Sequence, residues 1–372
     1  MRLAPGRREV DRIEPSSFVG PRDPLELELA LLWQAVLELP PVSVRANFFD
    51  LGGTSLDLAR VASRIRERFD QDLPLAAFFQ HQTIEELAGR LRDRGGGDDG
   101  TPLVRLRRGA GEAPAYFVHE VYGDVTYAYD LASLLGEDRP AYGFQPPGLY
   151  TDREPLRDLR ALAAEYVDAA RRLHPGGPYL LAGYCTGGIV ALEMAHQLRR
   201  AGDRVGIVAL IDSRLFTPEE ATALAGTPDL DNLLYSEFVV HDQPISFEKF
   251  VELGRDRQVE YIVEGWKQID LAPANAGPSF VRRFVDMYQV NAAAIATYQP
   301  ELYDGKVCLY LPSEPVLPDQ ELPSVEQSVA SWHACGVADL DIHQLPGHHF
   351  SLFSRPNVEA LGFRLRACIA EV

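Results

Sequence analysis

The chain has 372 residues, 46% of them apolar, enough for one large domain with a real core and one small one. A net charge of −18 argues against nucleic acid as a partner, since surfaces that bind it are basic. The four cysteines (Cys185, Cys308, Cys335 and Cys368) show no Cys-x-x-Cys pair and no metal-ligand spacing, so a reduced, cytoplasmic setting without disulfides or a metal is expected.

Residues 1–21 read as an N-terminal tail. Met1-Arg2-Leu3-Ala4-Pro5 lacks the apolar segment of a signal peptide. No apolar run approaches the roughly 20 residues that span a bilayer, so no membrane partner is expected. Residues 22–94 read as a small all-α domain. Pro24 to Leu39 carries Leu25, Leu29, Leu32, Trp33 and Val36 at helical spacing. A loop through Pro40-Pro41 to Asp50 follows. A second helix runs from Ser55 to Phe69, with Leu58, Val61, Ala62 and Ile65 inward. A short apolar piece, Leu73 to Phe79, and a last helix, Thr83 to Arg94, complete a bundle of about four helices. Thr83 and Glu86 have the spacing of a capping box. Gly95-Gly96-Gly97-Asp98-Asp99-Gly100 cannot pack a core and reads as a linker.

Residues 101–372 alternate between strand and helix patterns. Strands are expected at Ala115–Val118, Ala141–Phe144, Tyr179–Gly183, Val205–Ile211, Val307–Leu311 and Ile342–Leu345. Helices are expected at Leu156–Leu173, Gly188–Arg200 and Val358–Ala370. This is the pattern of an α/β domain with a mainly parallel sheet. From about 218 to 296 the rhythm breaks into helical segments (Asp231–Val240, Phe247–Leu253, Gln258–Trp266 and Phe280–Tyr298), which suit a lid over a pocket. Its aromatic residues (Tyr235, Phe238, Phe247, Tyr261, Trp266, Phe280 and Tyr288) could line an acyl pocket or form the lid's own core; helical stripes favour the core.

Two constellations carry chemistry. The first is Phe48-Phe49-Asp50-Leu51-Gly52-Gly53-Thr54-Ser55-Leu56. Ser55, at a loop-to-helix junction, could be a simple N-cap. The double glycine and the preceding Phe-Phe-Asp-Leu go beyond what a cap needs. The segment resembles the attachment site of peptidyl carrier domains, which implies 4'-phosphopantetheine bound covalently to Ser55. Gly6-Arg7-Arg8-Glu9-Val10-Asp11-Arg12 resembles the closing Gly-Lys-Val-Asp-Arg motif of an adenylation domain, with Glu9 in place of the lysine.

The second is Gly183-Tyr184-Cys185-Thr186-Gly187-Gly188, between an apolar strand and an amphipathic helix. Strand, glycine-flanked residue, helix is the layout of a nucleophile elbow, with cysteine where serine usually stands. A thiol at a helix N-terminus is expected to have a lowered pKa. Residues 101–372 are similar to the terminal thioesterase domains of nonribosomal peptide synthetases, which are α/β-hydrolase folds with Ser-Asp-His or Cys-Asp-His triads. The resemblance places the acid at Asp212, in Leu210-Ile211-Asp212-Ser213, and the base at His349, through the Gly-x-His-Phe pattern of Gly347-His348-His349-Phe350. His348 then falls at the variable position, and His119 reads as loop structure. The backbone N–H groups of Thr186 and Val121 are the expected oxyanion hole.

The whole then reads as a carrier–thioesterase didomain that releases a carrier-bound peptidyl or acyl chain through an acyl-Cys185 intermediate. Cysteine keeps that intermediate a thioester, which favours cyclisation or coupling to an amine or hydroxyl. Hydrolysis to a linear acid is the competing outcome, and a binding-only hydrolase fold fused to a carrier a further one. The implied partners are upstream condensation and adenylation domains and a phosphopantetheinyl transferase. A monomer is expected.

Overall fold

The computed structural model describes residues 18–37, 39–69, 73, 75–92, 101–107, 109, 113–125, 127–136, 138–149, 153–215, 234–235, 245–268, 278–315 and 322–371. The tail motif at residues 6–12, the linker and most of the helix expected at 231–240 lie outside them. The chain divides into two compact units, residues 1–100 with 238–281 and residues 101–237 with 282–372.

In the first unit, α1 (Pro24–Leu37), α2 (Ser55–Phe69), α3 (Leu75–Gln80) and α4 (Ile84–Arg92) occupy the four positions the apolar spacing predicts. Leu29, Trp33, Phe48, Leu58, Val61, Ile65, Ile84 and Leu87 are buried. The Thr83–Glu86 capping box forms, each side chain accepting from the other's backbone N–H at 3.2 Å. Two further helices belong to this unit, α8 (Phe247–Glu252) and α9 (Arg255–Gln268). Ser246 caps α8, and Phe250 is its fully buried anchor.

The second unit is built on seven strands: β1 (Leu103–Arg107), β2 (Ala115–Val118), β3 (Ala141–Phe144), β4 (Tyr179–Tyr184), β5 (Val205–Ile211), β6 (Tyr303–Pro312) and β7 (Val337–Leu345). Their order is β1-β3-β2-β4-β5-β6-β7, with β1 antiparallel to β3 and every other pair parallel. Successive strand residues face opposite sides. Tyr116, Leu181, Val208, Leu210 and Leu309 enter one core, with α6 (Leu159–Leu173) and α7 (Gly187–Arg200). Phe117, Leu180, Ala182, Ala209 and Tyr310 enter the other, with α5 (Ala128–Ser133) and α12 (Asn357–Ala370). Both faces are thus covered, as a parallel sheet requires. α10 (Pro278–Ala296) and α11 (Val325–Ala334) complete the elements. The arrangement is of the α/β-hydrolase type. No described helix is long and apolar enough to cross a membrane.

Several features depart from the sequence reading, which also leaves out α5 and α11. β1 was not expected, because its alternate residues, Arg105 among them, stay polar on the less buried face of an edge strand. β7 starts at Val337, because a half-exposed edge strand accepts the polar run Asp339 to Asp341. Far apart in sequence and without ligand spacing, Cys308 and Cys368 are nevertheless brought together, with Asp341 and His343, so that their donor atoms lie within 4.8 Å.

Candidate active site

β4 ends at Tyr184, α7 begins at Gly187, and Cys185 stands between them with φ 54°. The glycines follow from crowding. A Cβ on Gly183 would lie 2.2 Å from the Gly187 carbonyl carbon, one on Gly187 2.4 Å from the His119 oxygen, and one on Gly188 2.1 Å from Ser213 Oγ. Cys185 N–H donates to the Ile211 carbonyl at 2.9 Å, which ties the elbow to the tip of β5.

Asp212 follows at that tip with φ 42°. Cys185 and Asp212 are the non-glycine residues with positive φ among those described. Backbone strain confined to two such positions is characteristic of a functional site. His349 opens a short 3-10 turn after β7, and its Nδ1 donates to Asp212 Oδ2 at 2.6 Å. Both side chains are partly exposed, 27% for His349 and 22% for Asp212, so the imidazole is accessible. Gly347, at φ 93°, leaves no room for a Cβ beside Asn357 and Ser351. His348 is not joined to Asp212: its N–H donates to Ser351 Oγ at 2.8 Å, and its Nδ1 has no hydrogen-bond partner. Among the described residues no hydrogen bond links Cys185 Sγ to His349; the elbow reaches the imidazole through Tyr184. The Tyr184 ring packs 4.7 Å from the His349 ring, and its hydroxyl donates to the His349 carbonyl at 2.9 Å. Tyr127 and Phe353 pack around Tyr184 in turn. Sequence reasoning missed these supports, although Tyr184 stands inside the elbow motif.

The loop after β2 bonds most of its N–H groups. His119 N–H donates to Phe144 O, Glu120 N–H to Asp124 O and Gly123 N–H to Glu120 O. Tyr122 and Asp124 N–H donate to the Glu120 carboxylate at 3.0 and 3.1 Å. Val121 N–H makes no such bond, while its carbonyl accepts from Asn291 Nδ2 at 2.8 Å. Among the N–H groups of residues 119–124, that of Val121 makes none of these bonds, and Thr186 N–H, which faces the Cys185 sulfur, is outside the backbone ladder. His119 is buried, its pKa lowered to about 4 by desolvation. Its Nδ1 lies 2.7 Å from the Glu120 carbonyl and its Nε2 has no partner, which suits loop structure and not a base.

The expected low pKa of Cys185 is not found. Burial first, and the Glu120 carboxylate second, push the thiol up to about 12. The Thr186 N–H favours the thiolate but is outweighed.

At the first-unit site, Gly52 has φ 88°, and a Cβ on Gly53 would meet the Phe48 ring at 2.4 Å. Thr54 caps α2: its hydroxyl accepts from Asp57 N–H at 3.2 Å and donates to Asp57 Oδ2 at 2.7 Å. Ser55 stands at the first position of α2. Of the lid aromatics, Tyr261 packs on Phe250 and Tyr288 on Tyr122. Phe238 lies outside the described residues, as do the side chains of Trp266 and Phe280.

A family model described as "Thioesterase domain" matches residues 115–365, and one described as "Phosphopantetheine attachment site" matches residues 28–91. The dimodular nonribosomal peptide synthase of Bacillus subtilis (strain 168) is 28% identical over 326 residues, 83% of this chain and 13% of that protein. Indigoidine synthase of Dickeya dadantii (strain 3937) is 32% identical over 253 residues, 66% of this chain and 17% of that one. This chain therefore spans a small fraction of either relative. The crystal structure of a four-domain nonribosomal peptide synthetase bound to AMP and glycine covers 95% of this chain and 27% of its own, with TM-score 0.61 and 27% identity. The Vlm2 thioesterase domain, 17% identical with TM-score 0.52, shares the fold.

Proposed function

The chain belongs to the thioesterase domain family and carries a phosphopantetheine attachment domain ahead of it; on that premise we propose that it releases a peptidyl or acyl chain of a nonribosomal peptide synthetase through an acyl-Cys185 intermediate. The reading rests on the 2.6 Å bond between His349 and Asp212 at the strand tips that also present the strained Cys185 elbow. Residues 22–94 are the carrier, 95–100 the linker and 101–372 the thioesterase domain; 218–296, read from the sequence as its lid, contains α8 and α9, which group with residues 1–100.

The residues around Ser55 fit a covalent phosphopantetheine. The serine opens a helix whose free N–H groups favour a phosphate, the Gly52-Gly53 turn keeps the approach narrow, and Thr54 has taken the capping role. The arm would supply a thiol that carries the chain as a thioester. A phosphopantetheinyl transferase and upstream condensation and adenylation domains are the corresponding partners.

Asp212 orients His349 by accepting from Nδ1, so that Nε2 is the basic nitrogen. His349 takes the Cys185 proton as sulfur attacks the acyl carbonyl. The carbonyl oxygen becomes an anion facing the Thr186 and Val121 N–H groups. Collapse expels the substrate's thiolate, which takes the proton back from His349. His349 then deprotonates the second nucleophile, which attacks the Cys185 thioester and restores the thiol. A thioester intermediate conserves acyl-transfer potential, which suits an amine or hydroxyl acceptor and hence cyclisation or coupling.

The test is incubation with a synthetic acyl thioester followed by peptide mass analysis. Acyl mass on the Cys185 peptide, absent from Cys185→Ala together with turnover, is the expected result. Product formation by Cys185→Ala at the wild-type rate would overturn the assignment.

A further inference from the structure

Outside the catalytic strand tips, β6, β7 and α12 bring together donors that the reaction does not use. In the parallel register Cys308 stands opposite Asp341, and Tyr310 opposite His343. Alternation puts Asp341 and His343 on one face of β7, and Cys308 and Tyr310 on one face of β6. α12 packs over that face and delivers Cys368 from its last turns.

The donor separations are 3.2 Å for Cys368 Sγ–His343 Nε2, 3.3 Å for His343 Nε2–Asp341 Oδ2, 3.8 Å for Cys368 Sγ–Asp341 Oδ2 and 4.0 Å for Cys308 Sγ–Asp341 Oδ2. With zinc–sulfur bonds of about 2.3 Å and zinc–nitrogen or –oxygen bonds of about 2.0 Å, the edges of a tetrahedral site run to about 3.3–3.8 Å. We infer that Cys308 Sγ, Cys368 Sγ, His343 Nε2 and Asp341 Oδ2 form a zinc-type metal site that fastens the last helix to the edge of the sheet. Two thiolates, an imidazole and a carboxylate suit Zn2+ rather than Mg2+ or Ca2+, and a complete set of four protein donors marks a structural site.

The surroundings agree. The Tyr310 hydroxyl lies 3.3 Å from Cys368 Sγ, and its ring stacks on His343 at 4.9 Å, which holds two of the donors in place. The sulfurs are buried, while the Asp341 side chain is 41% exposed and gives an ion a way in from solvent. Lys306, the neighbouring cation, is engaged by Glu371.

The experiment is a Co2+ titration of the full-length chain, reduced and stripped of metal by a chelator. One Co2+ per chain, with tetrahedral visible bands and a thiolate-to-cobalt charge-transfer band, both removed by excess Zn2+, is expected. The thiolate band should disappear in the Cys308→Ser/Cys368→Ser double variant and persist in Cys185→Ala/Cys335→Ala. Asp341→Asn changes a partly exposed position, so it keeps the question answerable if the serine variant does not fold. It should bind Co2+ at least tenfold more weakly. Absence of the thiolate band in the reduced wild type, its survival in the double variant, or unchanged affinity in Asp341→Asn overturns the site.

Discussion

The Tyr184 hydroxyl donates to the carbonyl of His349 at 2.9 Å while the two rings lie 4.7 Å apart. The residue before the nucleophile therefore holds the base by both its backbone and its ring. Tyr184→Phe keeps the ring and deletes one hydrogen bond, a change of about 1 kcal/mol. Acyl-thioester turnover should fall several-fold in kcat with KM little changed. Tyr184→Ala also removes the packing and should cost at least ten times more. Equal kinetics for wild type and both variants would remove Tyr184 from the positioning of His349.

Glu120 sets the charge beside the nucleophile as well as the shape of the loop. A thiol whose pKa is raised to about 12 stays protonated at neutral pH, and its thiolate fraction grows as pH rises beyond the ordinary thiol value of 9.0. In a His349→Ala chain, alkylation of Cys185 by iodoacetamide should thus be half-maximal well above pH 9.0, the value at which an ordinary thiol is half ionised. Glu120→Gln removes a like charge and should move the climb to lower pH. The linkage has the same sign. An unfolded chain loses this proton first, so stability falls as pH rises from about 9.0 towards about 12. A plateau reached by pH 8 would contradict the environment described for the sulfur.

Much of this was legible in sequence, for reasons the fold makes explicit. Gly183, Gly187 and Gly188 could be read as an elbow because each lies where a Cβ would strike backbone or Ser213. Asp212 could be placed at a strand tip, where an α/β sheet gathers its site, but the choice of Asp212 and of His349 over His348 came from the resemblance to terminal thioesterase domains, and the two do meet. What stayed hidden depends on contacts between distant segments. Trp332 is fully buried, yet its helix α11 was overlooked despite Ser324 and Gln327 at capping-box spacing. The thiol's raised pKa comes from Glu120 and from burial, neither of which a helix-dipole argument includes. The pairing of Cys308 with Cys368 needs the β6–β7 register and the docking of α12, which no local spacing encodes.

Thr54 and Ser55 have separable duties. Thr54→Val removes the hydroxyl that accepts from Asp57 N–H and donates to its carboxylate, and should destabilise α2 by about 1 kcal/mol. Loading by a phosphopantetheinyl transferase should continue, since Ser55 is intact. Ser55→Ala should leave the melting temperature within about a degree and abolish the mass gain on loading. A Ser55→Ala chain that still gains the phosphopantetheine mass would move the attachment point elsewhere.

The choice of sulfur at position 185 bears on which acceptor wins. Transfer from the carrier thioester to Cys185 exchanges one thioester for another and is nearly balanced, whereas transfer to serine ends in a less activated oxygen ester. Amines attack thioesters readily compared with water. Cys185→Ser should therefore keep the geometry of the elbow, lower overall turnover about tenfold or more, and shift the products towards hydrolysed acid. The product ratio is read by mass, because a cyclised chain is one water lighter than the acid. A serine enzyme that cyclises or couples in the same proportion as the cysteine enzyme would show that the acceptor is selected by the shape of the pocket, and that the sulfur contributes rate but not partition.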